Sequence, residues 1–257
     1  MLKKFIREKI IFLIENRTNP LKREIKKLHS LYLEMGRASR KQIMDYAFEF
    51  SAKNDLNGSY LEFGCYSGTS FIRAFKAYQK WLSVAENKKW KLRPETMYIF
   101  DSFKGLPDLE EQDRLSDYEI FDKGQYTCSE EVFKKNLIEA GVDMEMVKII
   151  PGFYSESLNE KLKSKLNNTK ALVVHIDCDL YSSAILALNF ITDIVQDGTL
   201  ILFDDYFCYR GNPEFGVQKA FNEWKKNENI SSSSYINYEW AGKAFIIHRP
   251  CDYSRQG

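Results

Sequence analysis

Short apolar runs alternate with longer amphipathic stretches along most of the chain, from residue 59 to residue 248. A short apolar run is typical of a buried strand, and apolar residues spaced three or four apart indicate a helix. The pattern predicts strands at 59–64, 97–101, 147–152, 171–177, 199–205, 235–239 and 243–248. It predicts helices at 68–80, 129–140, 156–166, 181–195 and 213–227. Alternating strands and helices form a parallel sheet with helices on both faces, so we predict a doubly wound α/β fold.

The residues before this region follow a helical pattern only. It predicts three helices, at 2–15, 20–33 and 39–52, and a turn follows at NDLNG. We therefore divide the chain into an N-terminal helical extension, 1–56, and an α/β domain, 57–257. The first 30 residues carry nine Lys and Arg against three Glu, so the first helix is basic and amphipathic. Such a helix can contact a membrane surface, but we favour a homo-oligomer contact or a lid over the ligand site.

Composition narrows the function classes. A net charge of +1 over 257 residues argues against nucleic acid as a partner, and no apolar run is long enough to span a membrane. The three histidines are scattered and no GxSxG motif exists, which argues against a zinc site and a serine hydrolase. The five cysteines have no CxxC spacing, so we expect free thiols and a cytoplasmic location.

Two of the most apolar predicted strands end in acidic residues. The run ALVV leads to Asp177 and Asp179, and the run LILF leads to Asp204 and Asp205. In a doubly wound sheet these strands are neighbours, and ligands bind beyond their carboxyl ends. Clustered carboxylates repel one another unless a proton or a cation relieves them, and oxygen ligands suit Mg²⁺. We therefore predict a site for Mg²⁺ or another divalent cation, the alternative being that some of these aspartates, Asp179 above all, cap helices.

Other strand ends carry candidate binding residues. The segment LEFGCYSGTS places Glu62 in a strand and spaces Gly64 and Gly68 as GxxxG rather than GxGxxG. This spacing favours a ligand without phosphates over a dinucleotide, although an ordinary strand–helix turn would also contain glycines. Asp101 ends the second strand, where an acid can accept both hydroxyls of a ribose or can cap a turn.

Two further features lie near these strand ends. In PGFYSESL, Gly152 allows close approach, and Phe153 or Tyr154 can stack on a base or pack in the core. The polar stretch 104–128 is longer than an ordinary connection, which predicts either a lid beside the site or a disordered insertion.

Taken in order, the motifs ExGxxxG, DSFxGxP, PGxxxxxL, hIDCDLYxS and FDDY resemble those of the macrocin O-methyltransferase family. These enzymes are sugar O-methyltransferases that depend on S-adenosylmethionine and Mg²⁺. The resemblance covers residues 59–248, and a more distant one links the chain to catechol-type O-methyltransferases. It implies a Rossmann-like methyltransferase sheet of seven strands, mostly parallel, whose last strand is antiparallel.

The resemblance also implies a role for each motif residue. The methionine half of S-adenosylmethionine would contact Glu62, Gly64, Tyr66, Gly68 and Thr69. The ribose would contact Asp101 and Ser102, and the adenine would contact Gly152 and Phe153. The divalent cation would be held by Asp177, Asp204 and Asp205.

The implied reaction moves a methyl group to a hydroxyl of a sugar in a glycan, a sugar nucleotide or a glycosylated metabolite. Catechol-type enzymes have a lysine base where this chain has Leu180, so Asp177 is our first candidate for the catalytic base, with Tyr126 or Asp122 as alternatives. We keep two other functions open: methylation of a small phenolic acceptor, and a non-catalytic binding subunit with this fold.

Overall fold

The computed structural model describes residues 38–93, 95–117 and 120–249. Seven strands form one sheet: β1 (Ser59–Phe63), β2 (Met97–Asp101), β3 (Val147–Pro151), β4 (Ala171–Ile176), β5 (Val195–Phe203), β6 (Ser231–Tyr238) and β7 (Gly242–His248). Their order is β3-β2-β1-β4-β5-β7-β6. Only the pairings of β7 are antiparallel, so the predicted seven-stranded sheet with an antiparallel last strand is confirmed.

Seven α-helices accompany the described strands. They are α1 (Arg40–Lys53), α2 (Thr69–Lys88), α3 (Glu130–Glu139), α4 (Tyr154–Ser157), α5 (Glu160–Lys165), α6 (Tyr181–Ile191) and α7 (Gly216–Asn227). The predicted helices 2–15 and 20–33 lie outside the described residues. No helix in the described ranges has both the length and the hydropathy needed to cross a bilayer.

The sheet separates two apolar cores. On one face α1, α2 and α3 contribute Phe48, Tyr78 and Phe133, all fully buried. On the other face α6 and α7 contribute Leu188 and Trp224, also fully buried. All six residues of β4 are buried because it lies in the middle of the sheet, between β1 and β5. This explains why its sequence is continuously apolar rather than alternating.

Helix α1 belongs to the first core although it falls within the predicted extension. Ser39 caps its start in a capping box with Gln42, and its buried side Ile43, Met44, Ala47 and Phe48 packs with residues of α2 and the sheet. The boundary at residue 56 stays a prediction, since most of the extension is outside the described residues.

Several predicted boundaries were wrong. Helix α2 continues to Lys88 rather than residue 80, because Trp81 and Ala85 extend its buried side. The single helix predicted at 156–166 is two short helices, α4 and α5, since the Asn159 side chain caps a new start. The helix predicted at 181–195 ends at Ile191, and β5 begins at Val195 rather than 199.

The serine tract 231–234 is not a linker. It forms the first half of β6, which starts at 231 rather than at the predicted 235, and each serine pairs with a residue of β7. The first half of β6 is a strand because it pairs with β7, not because serine favours strands.

The β2–α3 loop, residues 102–129, packs against the carboxyl ends of the strands. Leu106 and Phe121 form a small third core with Leu180 and Tyr209. The Asp113 carboxylate accepts hydrogen bonds from the Ser182 amide and hydroxyl at 3.0 and 2.7 Å. The described part of this loop is therefore a packed cover, not a disordered insertion.

Candidate active site

One cavity of about 760 Å³ lies beyond the carboxyl ends of β1, β2, β4 and β5, beneath the β2–α3 loop. The strand register explains its composition: Phe63 pairs with Phe100 and Ile176, and Ile176 pairs with Phe203. The next residues of the four strands, Gly64, Asp101, Asp177 and Asp204, therefore lie side by side at one edge of the sheet. The volume is typical of a pocket for a small-molecule ligand.

Seven of the predicted site residues line this cavity. They are Gly64, Tyr66, Asp101, Ser102, Phe153, Asp177 and Asp205. Five predicted residues do not line it: Glu62, Gly68, Thr69, Gly152 and Asp204. The assigned roles of all twelve stay predictions, because position alone does not show binding.

Asp101 fastens the turn after β1. One carboxylate oxygen accepts the amides of Cys65 and Tyr66 at 2.7 and 3.3 Å, and the other accepts the amide of Phe103 at 2.7 Å. Tyr66 and Phe103 have positive φ angles, 45° and 54°, which cost free energy in a non-glycine residue. The Asp101 carboxylate stabilises this strained backbone and so fixes the wall of the cavity.

Glu62 lies beneath this turn and is fully buried. Its carboxylate accepts hydrogen bonds from the hydroxyls of Tyr60 and Ser70, each at 2.5 Å. Ser70 lies in the first turn of α2, so Glu62 couples β1 to the helix start rather than facing the cavity. In this structure it is a positioning residue for the predicted cofactor turn.

Two glycines allow the close packing around this turn. A Cβ atom on Gly64 would lie 1.9 Å from the carbonyl oxygen of Asp177, and its φ is +85°. Gly68 is the N-cap of α2 with a φ of +87°, and a Cβ atom on it would lie 2.9 Å from the ring of Phe133. The spacing GxxxG therefore reflects contacts of the protein with itself at both positions.

Phe153 and Tyr154 were each predicted either to stack on a base or to pack in the core, and the structure places them differently. Phe153 lines the cavity, with the Lys104 amine 6.0 Å from its ring. Tyr154 reaches the cavity wall, but its ring packs edge-on against Phe63 at 5.8 Å and its hydroxyl donates to the Phe100 carbonyl. Phe153 is therefore the ring that stays available to a ligand, and stacking on an adenine stays a prediction.

The acidic side of the cavity contains a buried hydrogen-bond network around Asp204. One of its oxygens, Oδ1, accepts from the Tyr238 hydroxyl at 2.7 Å and lies 2.9 Å from His175 Nε2. The other oxygen, Oδ2, contacts the Arg40 guanidinium. Burial would raise the pKa of Asp204, but His175, Arg40 and Tyr238 outweigh it and lower the pKa.

The same contacts hold His175 in its charged form. Burial favours the neutral ring, but the carboxylates of Asp204 and Glu62 outweigh it and raise the pKa of His175 well above its usual range. Its ring is fully buried between Glu62 and Asp204 and does not line the cavity. His175 is therefore a partner of Asp204 rather than an acid or base that meets a ligand.

The negative charges of the other three aspartates, Asp177, Asp179 and Asp205, are less well balanced by nearby cations and hydrogen-bond donors. Burial and the neighbouring carboxylates raise the pKa of Asp177 and of Asp179 well above the usual range. Burial and Asp204 raise the pKa of Asp205 to about 6. The Asp205 Oδ2 atom is buried and has no hydrogen-bond partner among the described residues.

These features fit a divalent cation. Crowded carboxylates with raised pKa values and an unpaired buried oxygen are what a hard cation relieves. Among the described residues, the one group of three candidate ligands with atoms within 4.8 Å of one another is His175, Asp177 and Asp204. Asp205 lies at the cavity beside them, so the predicted set Asp177, Asp204 and Asp205 needs a change of side-chain position to close around an ion.

The alternative base candidates differ in position. Tyr126 lies on the rim of the cavity, and burial followed by Asp179 and Asp205 raises its pKa. Asp122 is exposed and does not line the cavity. Asp177 lines the cavity, so its position favours it over Asp122 as the candidate base.

Sequence reasoning missed Arg40, Tyr238 and Trp240, which reach the site from α1 and from the β6–β7 turn. One signal was present for Arg40. The first turn of α1 contains basic residues and no acidic residue, although the helix dipole disfavours cations there. Tyr238 and Trp240 carried no local signal.

The sequence comparisons identify the family of the chain. A family model described as Macrocin-O-methyltransferase (TylF) matches residues 18–245. A curated relative, the demethyldecarbamoylnovobiocin O-methyltransferase of Streptomyces niveus, is 27% identical over 118 residues. This match covers 45% of the chain and 43% of that relative, less than half of its length.

Solved structures show the same fold. The O-methyltransferase NovP has a TM-score of 0.62 and 21% identity, over 82% of this chain and 80% of that one. The calicheamicin methyltransferase CalS11 has a TM-score of 0.60 and 19% identity, over 93% and 90%. Its apo form, described as a TDP-rhamnose 3'-O-methyltransferase, has a TM-score of 0.52 at 16% identity, over 93% and 92%. At these identities the likeness shows the methyltransferase fold alone.

The resemblance found in the strand-end motifs is confirmed by the family match. That match includes the glycine turn after β1, the Asp101 segment and both aspartate pairs, and it extends into the helical region before residue 57. The chain belongs to the macrocin O-methyltransferase family.

Proposed function

We propose that this protein is an S-adenosylmethionine-dependent O-methyltransferase that methylates a hydroxyl of a sugar. The sugar would belong to a glycan, a sugar nucleotide or a glycosylated metabolite. The observation that carries this proposal is that one cavity is lined by Gly64 and Asp101 on one side and by Asp177 and Asp205 on the other. A methyl donor and an activated hydroxyl must meet in one enclosed space.

The two halves of the cavity suit the two reaction partners. The donor would lie along Gly64, Tyr66, Asp101, Ser102 and Phe153, and it supplies an electrophilic methyl group when bound. A divalent cation would be held by Asp177, Asp204 and Asp205, where it lowers the pKa of a hydroxyl. Mg²⁺ is the ion we propose, because every one of these ligands is a carboxylate.

The residues of the chain then have three tasks. The Asp101 carboxylate holds the turn of Cys65 and Tyr66 so that the donor side is formed before any ligand arrives. The β2–α3 loop covers the cavity and excludes water. The Asp177 carboxylate accepts the hydroxyl proton, since it lines the cavity at the place where the hydroxyl would meet the cation.

The rim of the cavity supports a sugar acceptor with an apolar face. Tyr66, Tyr126 and Trp240 line it and are 52%, 53% and 66% exposed. Exposed aromatic rings at a cavity mark a binding surface, and their faces fit the C–H faces of a sugar ring. The same rings would accept a phenol, so a phenolic acceptor remains the second candidate.

Binding calorimetry tests the proposal. Chelator-treated protein is titrated with S-adenosylhomocysteine and, separately, with Mg²⁺, and the titrations are repeated on Asp205→Asn. We expect the variant to keep cofactor affinity and to lose at least about tenfold in Mg²⁺ affinity, since it removes an anionic ligand. Asp108→Asn is the matched control, because Asp108 also lines the cavity but its side chain is 81% exposed.

A panel of acceptors follows. Transfer of a labelled methyl group to free sugars, sugar nucleotides and glycosides, but not to catechols, supports the sugar proposal. Transfer to catechols alone would replace it with the phenolic one. Absence of cofactor binding in the wild-type protein would remove both and leave a binding subunit.

The remaining proposals concern the setting of the enzyme. Four cysteines in the described residues, Cys65, Cys128, Cys178 and Cys208, are free thiols, which supports a reducing cytoplasm. We propose that residues 1–56 form a contact in a homo-oligomer or cover the acceptor, rather than bind the membrane surface. Sedimentation of the full chain with and without anionic vesicles distinguishes these roles.

A further inference from the structure

Arg40 lies among the aspartates although it begins a helix. Its guanidinium contacts Asp204 and lies near enough to Asp177 and Asp205 for all three carboxylates to raise its pKa against the effect of burial. A cation in the first turn of a helix is disfavoured by the helix dipole. The aspartates, rather than α1, therefore account for its position.

With all its carboxylates ionised, the cluster carries more negative than positive charge, and protons or a further cation relieve the excess. Four carboxylates, Asp177, Asp179, Asp204 and Asp205, face two cations, Arg40 and His175. His175 binds Asp204 from below the cavity, whereas Arg40 approaches from the cavity side, which it lines. Arg40 thus occupies the accessible side of the acidic cluster.

Arg40 is held in a way that allows its side chain to leave. It does not form the two parallel hydrogen bonds of a strong arginine–carboxylate pair: one terminal nitrogen contacts Asp204, and Nε is buried with no hydrogen-bond partner among the described residues. Its side chain is 42% exposed. Its backbone amide donates to Glu239 at 2.8 Å, so the helix start can stay in place while the side chain moves.

The Asp204 oxygen in contact with Arg40 is the one that a cation needs. Oδ1 already receives His175 and Tyr238, so Oδ2 is the oxygen left for a ligand bond. A guanidinium and a metal ion cannot both sit against it, because they would be like charges within a few ångströms.

We propose that Arg40 is an internal counter-ion that occupies Asp204 in the metal-free protein and is displaced by the divalent cation. Cation binding and release of the Arg40 side chain are then one exchange. This inference rests on the proposed cation site. The exchange also means that Arg40 lowers the affinity of the site for the cation. Arg40 thereby sets the cation concentration at which the site fills.

Calorimetry on chelator-treated protein tests the exchange directly. Arg40→Gln keeps a long polar side chain but removes the competing charge. We expect its Kd for Mg²⁺ to fall by about ten- to a hundredfold relative to the wild type. We also expect its metal-free Tm to fall and its Tm gain in saturating Mg²⁺ to exceed that of the wild type.

Lys41→Gln is the matched control. It removes one positive charge from the adjacent residue, whose side chain is exposed, so a general change of protein charge would affect both variants. The exchange predicts an unchanged Kd for Lys41→Gln. Equal Kd values in the wild type and Arg40→Gln, or a weaker one in Arg40→Gln, would overturn this inference alone. Absence of Mg²⁺ binding in both proteins would overturn the cation site and the inference together.

A second measurement uses the unmodified chain and does not depend on the variant folding. Arginine side chains are labelled with a dicarbonyl reagent, and the modified peptides are quantified by mass spectrometry with and without Mg²⁺. We expect labelling of Arg40 to increase severalfold in saturating Mg²⁺, while Arg73 on α2 stays unchanged. Labelling of Arg40 that stays constant or decreases would show that the guanidinium remains on Asp204, against the proposal.

Discussion

The carboxylates at two neighbouring parts of the same sheet edge differ in how completely they are hydrogen-bonded within the protein. At the ends of β1 and β2, both oxygens of Asp101 accept backbone amides, and the two oxygens of Glu62 accept hydroxyls. At the ends of β4 and β5, Asp177 and Asp205 have raised pKa values, and one oxygen of Asp205 has no described partner. The acids of the first pair of strands have all their oxygens hydrogen-bonded within the protein, to amides at Asp101 and to hydroxyls at Glu62. Those of the second pair are only partly satisfied by the protein itself.

This contrast shows that an acid at a strand end is not by itself a ligand. The donor side of the cavity is built in advance by internal hydrogen bonds, so a change there should affect stability and cofactor affinity together. The acidic side is held in an unfavourable charge state, so a change there should affect cation binding and the reaction with little loss of stability. The following variants test the two sides separately.

The largest loss of stability is expected where the donor side, at the end of β1, contacts the acidic side, at the end of β4. Gly64→Ala would place a methyl group 1.9 Å from the Asp177 carbonyl oxygen, between β1 and β4. Backbone atoms cannot yield as a side chain can, so we expect a loss of more than about 4 kcal/mol in the free energy of unfolding, or no folded protein. Urea denaturation followed by circular dichroism measures this loss.

Gly124→Ala is the control for this substitution. Gly124 has a φ of +79°, close to that of Gly64, but a Cβ atom there meets nothing within 4 Å. It should therefore show only the cost of a left-handed backbone, about 1 kcal/mol. Similar losses in the two variants would mean that backbone strain, not the contact between the strands, makes Gly64 necessary.

A second prediction concerns the acidic side. Asp177→Asn keeps the shape of the side chain but removes the proposed proton acceptor and one proposed ligand of the cation. In saturating Mg²⁺ we expect methyl transfer to slow by about 10²–10⁴-fold. The affinity for S-adenosylhomocysteine and the Tm should stay close to the wild-type values, since Asp177 carries no part of the donor side. A variant with a full methyl-transfer rate would exclude Asp177 as the base and direct attention to Tyr126.

The same substitution on the donor side should have the opposite profile. Asp101→Asn replaces one acceptor oxygen with an amide that cannot accept, so at least one of the amides of Cys65, Tyr66 and Phe103 loses its partner. We expect a loss of about 1–3 kcal/mol in unfolding free energy and weaker cofactor binding. Mg²⁺ affinity should be unchanged, and calorimetry measures both ligands.

Asp143→Asn serves as the control for a turn aspartate remote from the cavity. Its carboxylate accepts one amide, that of Glu145, at 3.0 Å in an exposed turn. It should lose less than about 1 kcal/mol and keep its cofactor affinity. If Asp101→Asn behaved in the same way, Asp101 would be an ordinary capping residue.

The sequence predicted the features that depend on neighbouring residues in the chain. The acids at Asp177 and Asp204 follow apolar strands directly, so the strand order brings them together once the sheet is doubly wound. The glycine turn and Asp101 were found in the same way. Local pattern is sufficient here because a strand end has a fixed place in the sheet.

The remaining site residues depend on packing between distant segments. Arg40 reaches Asp204 because α1 docks beside the β6–β7 turn, where the Arg40 amide binds Glu239. Tyr238 ends an edge strand whose first half is the polar serine tract. No hydrophobic period marks such a strand, and the pattern therefore could not place Tyr238 beside the aspartates.

The smallest predicted effect is the pH dependence of the acidic side. Burial and Asp204 raise the pKa of Asp205 to about 6, so its proton competes with a cation below that pH. The proton of Asp205 alone should weaken the apparent Kd for Mg²⁺ by about tenfold for each pH unit below 6. The pKa of Asp177 is raised well above its usual value, so its proton competes as well and extends the dependence to higher pH. Titrations in two buffers of different ionisation enthalpy should show more protons released by Mg²⁺ at about pH 5.5 than at about pH 7.5. A Kd that does not change with pH would mean that neither Asp205 nor Asp177 exchanges a proton for the cation, against the proposed site.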